Sequence, residues 1–187
     1  LKGTSKYRYD QITMRSISKV VLIGFMASGK SAVAIELAPL LGFTVHQVDD
    51  AIVTRSGYPS VATIFTEKGE TFFRDLESEV ALSFREATNA VISTGGGIIT
   101  RPANIEHLKH NGGIIVYLRT SFETVSARVG DITSRPLFAN KADALELYKR
   151  RLPIYESYAD IMVDTDGISV EEVCSEILAQ LKLKVCI

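Results

Sequence analysis

A chain of 187 residues, 46% hydrophobic and 23% charged, has the balance of a soluble globular protein and enough length for one core of ordinary size. Its formal net charge of −1 leaves no global field to draw in nucleic acid or an anionic membrane. No apolar run approaches the roughly 20 residues that span a bilayer. The two cysteines, Cys174 and Cys186, lie outside any metal-ligand spacing and read as free thiols of a reducing compartment, with a late disulfide left open.

Residues 1–18 differ from the rest of the chain. Lys2, Lys6, Arg8 and Arg15 face only Asp10, and no apolar period appears. A secretory signal needs an apolar segment and is excluded. The stretch reads as an expression scar, a leader remnant or an extension before a start at Met14, and no function is assigned to it. Residues 19–187 are expected to form one domain.

From Lys19 onward short apolar runs alternate with longer amphipathic ones. Val20–Ile23 is a compact β-branched strand ending at Gly24. Ser31–Leu41 reads as a helix stopped by Gly42, with Pro39 near its end. Phe43–Val48 is the second strand candidate. A helical stretch over Glu70–Arg85 precedes the third, Ala90–Ser93. Pro102–His110 is helical, Ile114–Leu118 is the fourth strand, and Ser121–Arg128 is helical again. Ala142–Tyr158, the fifth strand Ile161–Val163 and the helix Val170–Leu181 complete the series. Strands of this length separated by helices predict an α/β fold, a parallel sheet covered on both faces. Right-handed crossovers then bring the loops after the strands to one edge.

The loop after the first strand, Gly24-Phe25-Met26-Ala27-Ser28-Gly29-Lys30-Ser31, matches GxxxxGK[ST] in full and stands between a strand and a helix, as a phosphate-binding loop must. Its glycines let backbone N–H groups curl around phosphate oxygens, and the following helix offers its positive end. Lys30 is placed to reach the β- and γ-phosphates, and the Ser31 hydroxyl to ligate Mg²⁺. ATP with Mg²⁺ is the implied co-substrate. Ser93-Thr94-Gly95-Gly96-Gly97 closes the third strand. Three consecutive glycines are poor strand and poor helix; at a strand end they provide bare backbone that a substrate can approach.

Asp49 and Asp50 are expected at the end of the second strand, where one can cap the next helix and the other can orient a substrate hydroxyl. Arg74 lies in a helix with Glu77 three residues on, a spacing that also suits a simple ion pair. Arg135 precedes Pro136 in Gly130–Ala139, a segment whose Gly, Asp, Ser and Pro content suits a lid over about 130–140. An arginine there can clamp phosphate charge. Arg151 shortly precedes Pro153. His46, His107 and His110 have neither cysteine partners nor metal-site spacing and read as structural.

The order of the phosphate-binding loop, an acidic strand end, Phe73-Arg74 with Glu77, Ser-Thr-Gly-Gly-Gly, Arg-Pro-Leu and Arg-x-Pro-x-Tyr resembles the shikimate kinase family over Lys19 to about Leu181. The resemblance implies a P-loop, nucleoside-monophosphate-kinase-like fold, a three-layer αβα arrangement with five parallel strands ordered 2-3-1-4-5 and a mobile lid. It implies transfer of the ATP γ-phosphoryl group to the 3-hydroxyl of shikimate with Mg²⁺; the chain is expected to be a monomer of the cytoplasm, or a plastid protein should residues 1–18 be a leader remnant. By position, Asp49, found by counting back from Gly57, matches the aspartate that contacts the substrate hydroxyl. Arg74 and Arg151 match the arginines that hold the carboxylate, and Gly95, Gly96 and Gly97 the backbone at the ring hydroxyls. Arg135 matches the lid arginine, and catalysis would fall to Asp49, Lys30 and Arg135. Gly24, Ala27, Ser28, Gly29, Lys30, Ser31 and Ala32 would line the nucleotide phosphates. Arg128 matches the residue that stacks on adenine, Asp164-Thr165 falls in the adenine loop, and Ser93 replaces an acidic residue at the end of its strand.

One position departs from the family. Shikimate kinases usually carry Asp-x-Asp after strand two, the first Asp supporting Mg²⁺ through water, where this chain has Gln47-Val48-Asp49. A neutral amide adds no charge against the metal. Weaker metal affinity, compensation by Asp50 and a register shifted by one remain open at this stage. Two competitors stand beside the kinase of shikimate: a kinase of another small acceptor such as gluconate or a nucleoside monophosphate, and a non-catalytic nucleotide-binding module. Paired arginines argue against a nucleoside acceptor, and Lys30, Asp49 and the three arginines against a non-catalytic role.

Overall fold

The computed structural model describes residues 17–129 and 140–185. Arg135 with nearly all of the expected lid, Cys186 and most of the N-terminal extension lie outside the described residues. Ile17 and Ser18, counted with that extension from sequence, pack onto the body of the fold. Ile17 is buried in an apolar cluster, and the Ser18 backbone bonds to Gly112 and Ala90.

Five parallel strands form one sheet in the order β2-β3-β1-β4-β5, as expected. β1 (Lys19–Ile23) is central, pairing β3 (Ala90–Ser93) on one side and β4 (Gly113–Arg119) on the other. β2 (Thr44–Gln47) lies beyond β3, and β5 (Ile161–Asp164) beyond β4. All of β1 is buried, which is why its sequence shows no alternation: a parallel strand covered on both faces is apolar throughout. Lys19 is the exception, and its amine is fully satisfied, donating to the carbonyls of Phe84, Arg85 and Ala87.

Helices cover both faces. α1 (Lys30–Leu41) and α7 (Val170–Val185) pack on one face with Val33, Leu37, Ile177 and Leu181 against Val20, Leu22 and Val116. The opposite core gathers Ile52 of α2 (Val48–Ser56), Phe73 and Val80 of α3 (Val61–Ser83), Ile105 of α4 (Pro102–Lys109) and Tyr155 of α6 (Lys141–Tyr158) against Ile23, Ile92 and Tyr117. α5 (Phe122–Arg128) follows β4 and starts at Ser121, whose side chain accepts from the Thr124 N–H.

Two stretches differ from the sequence-based expectation. β2 ends at Gln47, so Asp49 and Asp50 stand in the first turn of α2 rather than at the strand end. Their charges there complement the helix dipole, and Gly57 ends the helix at φ 72°. The helix expected over Glu70–Arg85 starts earlier, at Val61, with Ser60 capping the Thr63 N–H and a break at Gly69 (φ 80°, ψ 174°). The sequence shows the second half because its apolar period is unbroken; Gly69 hides the first.

Candidate active site

β1 delivers the chain into a loop with alternating backbone handedness. Gly24 has φ 149°, Ala27 58° and Gly29 95°. A side chain at Gly24 would meet the Leu118 carbonyl at 2.8 Å, so the tight turn admits only glycine. Lys30, the first residue of α1, is buried and folds back over its own loop. Its amine donates to the carbonyls of Gly24 (2.9 Å) and Phe25 (2.7 Å) and to Ser28 Oγ (3.2 Å). The amine is thus held over the loop that would surround a phosphate.

Ser31 is exposed beside the loop. Its hydroxyl donates to the Gln47 amide oxygen at 3.1 Å and lies 3.4 Å from Ser93 Oγ. Gln47 pairs with Ser93 across β2 and β3. This fixes the register of the Gln47-Val48-Asp49 segment: Gln47 faces the loop serine, Val48 is buried, and Asp49 turns toward the glycine segment. The three side chains of Ser31, Gln47 and Ser93 together present hard, neutral oxygens, a donor set that suits Mg²⁺ in chemistry while adding no charge.

On the other side of the loop the glycine segment threads between charged groups. A Cβ at Gly95 would stand 3.1 Å from Glu77 Oε1 and 3.2 Å from Asp49 Oδ1. One at Gly96 would meet Met26 N at 3.3 Å, and one at Gly97 would overlap the Arg74 guanidinium at 2.2 Å. The glycines therefore let Asp49, Glu77, Arg74 and the phosphate loop converge on one backbone.

Arg74 is nearly buried and lies across the Phe73 ring, 5.1 Å from its centroid. Its Nη1 donates to buried Glu77 at 2.7 Å, and its Nε and Nη2 face the exposed Glu70 at 3.3 and 3.2 Å. Arg101 donates to the Arg74 carbonyl, Ser78 Oγ and Asp75, fixing this turn of α3 to the end of the glycine segment. Burial pushes the Glu77 carboxyl above its usual range, against the pull of Arg74. Arg151, on α6, is buried as well, and burial lowers its pKa. Among the described residues its Nε has no hydrogen-bond partner, and Arg74 is close enough to repel it. Two buried guanidinium groups, one with a bare N–H, form a site short of an anion.

A cavity of about 280 Å³ flanks the loop on its opposite side, lined in part by Ser28, Gly29, Ala32, Arg128, Thr165 and Ile168. Arg128 reaches over it, donating to the carbonyls of Ala27 (3.3 Å) and Thr165 (3.4 Å). Asp164 does not line this cavity: Arg119 holds its carboxylate through two bonds of 2.5 and 2.7 Å, which also depress its pKa. The neighbouring Thr165 takes the place beside Arg128.

Sequence comparison decides the family. A sequence model of the shikimate kinase family matches residues 26–182. The chain belongs to the shikimate kinase family. A shikimate kinase of Dehalococcoides mccartyi is 40% identical over 171 residues, covering 90% of this chain and 96% of that protein. The structure of Acinetobacter baumannii shikimate kinase in complex with shikimate superposes with a TM-score of 0.84 at 32% identity, covering 92% of this chain and 97% of that one. Shikimate kinase from Aquifex aeolicus matches with a TM-score of 0.75 at 34% identity, over 90% and 98% of the two chains. The five-stranded order and the P-loop architecture are those of this kinase fold.

Sequence reasoning for this shikimate kinase family member passed over three contributors to the site. Glu77 is visible as a helical partner of Arg74 and in the Phe73-Arg74 pattern, Tyr155 only as the last residue of Arg-x-Pro-x-Tyr, and Arg101 gives no signal. Each acts through groups distant in sequence, which periodicity cannot register. Among the described residues no helix is long and apolar enough to cross a membrane.

Proposed function

We propose that this chain transfers the γ-phosphoryl group of ATP to the 3-hydroxyl of shikimate, with Arg74 and Arg151 receiving the acid's carboxylate. The observation that carries this assignment is the Nε of buried Arg151, which has no hydrogen-bond partner among the described residues and stands beside Arg74, whose guanidinium lies against Gly97. A hydroxylated carboxylic acid satisfies every group there. Its carboxylate pairs the guanidiniums, its hydroxyls meet Gly95–Gly97, and one hydroxyl is oriented by Asp49, which can take its proton.

Phosphoryl transfer asks little covalent chemistry of the protein, so positioning and charge dominate. Gly24, Ala27, Ser28, Gly29 and Ala32 surround the phosphates with backbone, Lys30 supplies positive charge, and Arg128 lies over the nucleobase cavity. Ser31, with Gln47 and Ser93 behind it, would hold Mg²⁺, which when bound offsets phosphate charge. Arg135 is proposed as the clamp brought by the 130–140 lid, whose closure excludes water as a competing acceptor. The chain is proposed to act as a cytoplasmic monomer.

ADP release measured with ATP, Mg²⁺ and a panel of shikimate, gluconate and nucleoside monophosphates tests the acceptor. Turnover with shikimate alone is expected; equal turnover with gluconate would refute the assignment. Lys30→Ala is expected to fold and to lose turnover, and a folded, fully active Lys30→Ala chain would remove the phosphate-loop role.

A further inference from the structure

Tyr155 is 1% exposed and has no part in the chemistry above. Its hydroxyl donates to the Gly96 carbonyl at 2.5 Å. Arg151 stands one helical turn back on α6, its guanidinium close enough to the phenol for each to shift the other's pKa. The phenol's single proton goes to the Gly96 carbonyl, and a guanidinium carries only donors, so the oxygen's lone pairs are the side open to Arg151. Burial raises the phenol's pKa, which keeps that proton in place across the working range.

We propose that Tyr155 is a positioning residue for acceptor recognition, its hydroxyl joining the Arg151 guanidinium to the Gly96 backbone so that clamp and glycine segment form one rigid surface. The proposal rests on the assignment of Arg151 and Gly95–Gly97 as acceptor contacts. The ring is held independently of the hydroxyl, stacked on Tyr117 with centroids 5.1 Å apart and an interplanar angle of 17°. Gly96 is confined between the phenol and the phosphate loop: a Cβ there would stand 3.6 Å from the Tyr155 oxygen, 3.5 Å from the Gly24 carbonyl and 3.3 Å from Met26 N. The phenol therefore sets the spacing of the acceptor surface from both Arg151 and the phosphate loop. Arg151, a flexible side chain short of partners, gains from it a fixed orientation that would otherwise be lost to rotamer entropy.

Tyr155→Phe keeps the ring, its volume and the Tyr117 stack, and removes the bond to Gly96 together with the oxygen beside Arg151. If the hydroxyl orients the charged guanidinium as proposed, its loss predicts a rise in shikimate KM of about 10- to 100-fold. The ATP KM should move less than about twofold. A residue serving only the fold would lower Tm and active fraction while leaving the shikimate KM unchanged. Arg151→Gln and the double variant complete the cycle. Because Tyr155 acts through Arg151, the double variant should lose far less than the product of the two single effects. An unchanged shikimate KM in Tyr155→Phe, or single effects that multiply in full, would overturn the proposal. A Tyr155→Phe chain that does not fold would overturn it as well, since the hydroxyl would then serve the fold itself. Failure of the acceptor assignment is seen separately, as absent turnover of shikimate by the wild-type chain.

Discussion

Gly97→Ala isolates the Arg74 contact without touching a charged residue. Gly97 has φ −99° and ψ −1°, a conformation alanine adopts, so the backbone carries no strain. The added Cβ would stand 2.2 Å from both terminal nitrogens of Arg74 and 2.3 Å from Cζ. Non-bonded heavy atoms settle at about 3.5–4.0 Å, so the guanidinium must retreat by more than about 1 Å. It cannot do so freely, because Nη1 is bonded to buried Glu77 at 2.7 Å and the Glu70 carboxylate lies against Nε and Nη2. A displaced guanidinium would forfeit the charge-assisted bond proposed to the acceptor carboxylate, worth about 1.5–3 kcal/mol. At about 1.4 kcal/mol per tenfold, kcat/KM for shikimate should fall by about 10- to 100-fold. The loss should appear in the shikimate KM, with the ATP KM near its original value, in a coupled ADP-release assay at saturating Mg²⁺. Gly95→Ala is the graded comparison: its Cβ would meet Glu77 and Asp49 oxygens at 3.1 and 3.2 Å, an overlap that small adjustments relieve. A folded Gly97→Ala chain with an unchanged shikimate KM would refute the clamp geometry, and equal losses for ATP and shikimate would place the damage elsewhere.

Two further perturbations draw on the same geometry. Gln47→Asp adds a carboxylate beside Ser31 and should lower the Mg²⁺ concentration for half-maximal rate, by about tenfold or less since contacts made through a metal ligand give ~10–100-fold; an identical Mg²⁺ titration in both chains would show that this position does not serve the metal. Glu77 has its folded pKa raised by burial, so the native state binds this proton more tightly than the unfolded chain. Its contribution to stability is full below the ordinary carboxyl range and is lost as pH rises through the raised folded value; Glu77→Gln should flatten that part of a Tm-against-pH curve, and an unaltered curve would contradict the shift.

The sheet was legible because its central strand is apolar along its whole length and the phosphate-loop pattern marks where that strand ends and α1 begins. The strand order itself came from resemblance, since periodicity says nothing of which strands are neighbours. α2 was hard to delimit for a local reason: Val48–Ser56 mixes Val, Ile and Thr with two aspartates, a composition of modest helix propensity. What makes it a helix is its ends, the aspartates in the first turn, Arg55 in the last and Gly57 beyond. The same misplacement carries Asp49 to a strand end, whereas it stands in the first turn of α2 with its carboxylate near Gly95.

The site divides along the same line between local and distant causes. The phosphate loop is a contiguous motif, and its residues could be named from spacing alone. The acceptor side is assembled from four separated segments, and its electrostatics exist only in three dimensions. Glu77 shows the difference. By spacing it is an ordinary i,i+3 partner for Arg74, worth a few tenths of a kcal/mol on an exposed helix. In the fold its side chain is fully buried and Oε1 has no hydrogen-bond partner among the described residues. An ion pair so placed contributes little net stability, because burying the charges costs about as much as pairing them returns. Its consequence is geometric. With Glu77 on Nη1 and the Gly97 backbone against its face, Arg74 is held where, among the described residues, the exposed Glu70 occupies its remaining edge. On the proposed assignment, a substrate carboxylate would displace that solvent-exposed partner, an exchange of one charge-assisted bond for another. On the proposed assignment, affinity for the acid comes largely from Arg151, whose buried Nε has no hydrogen-bond partner among the described residues.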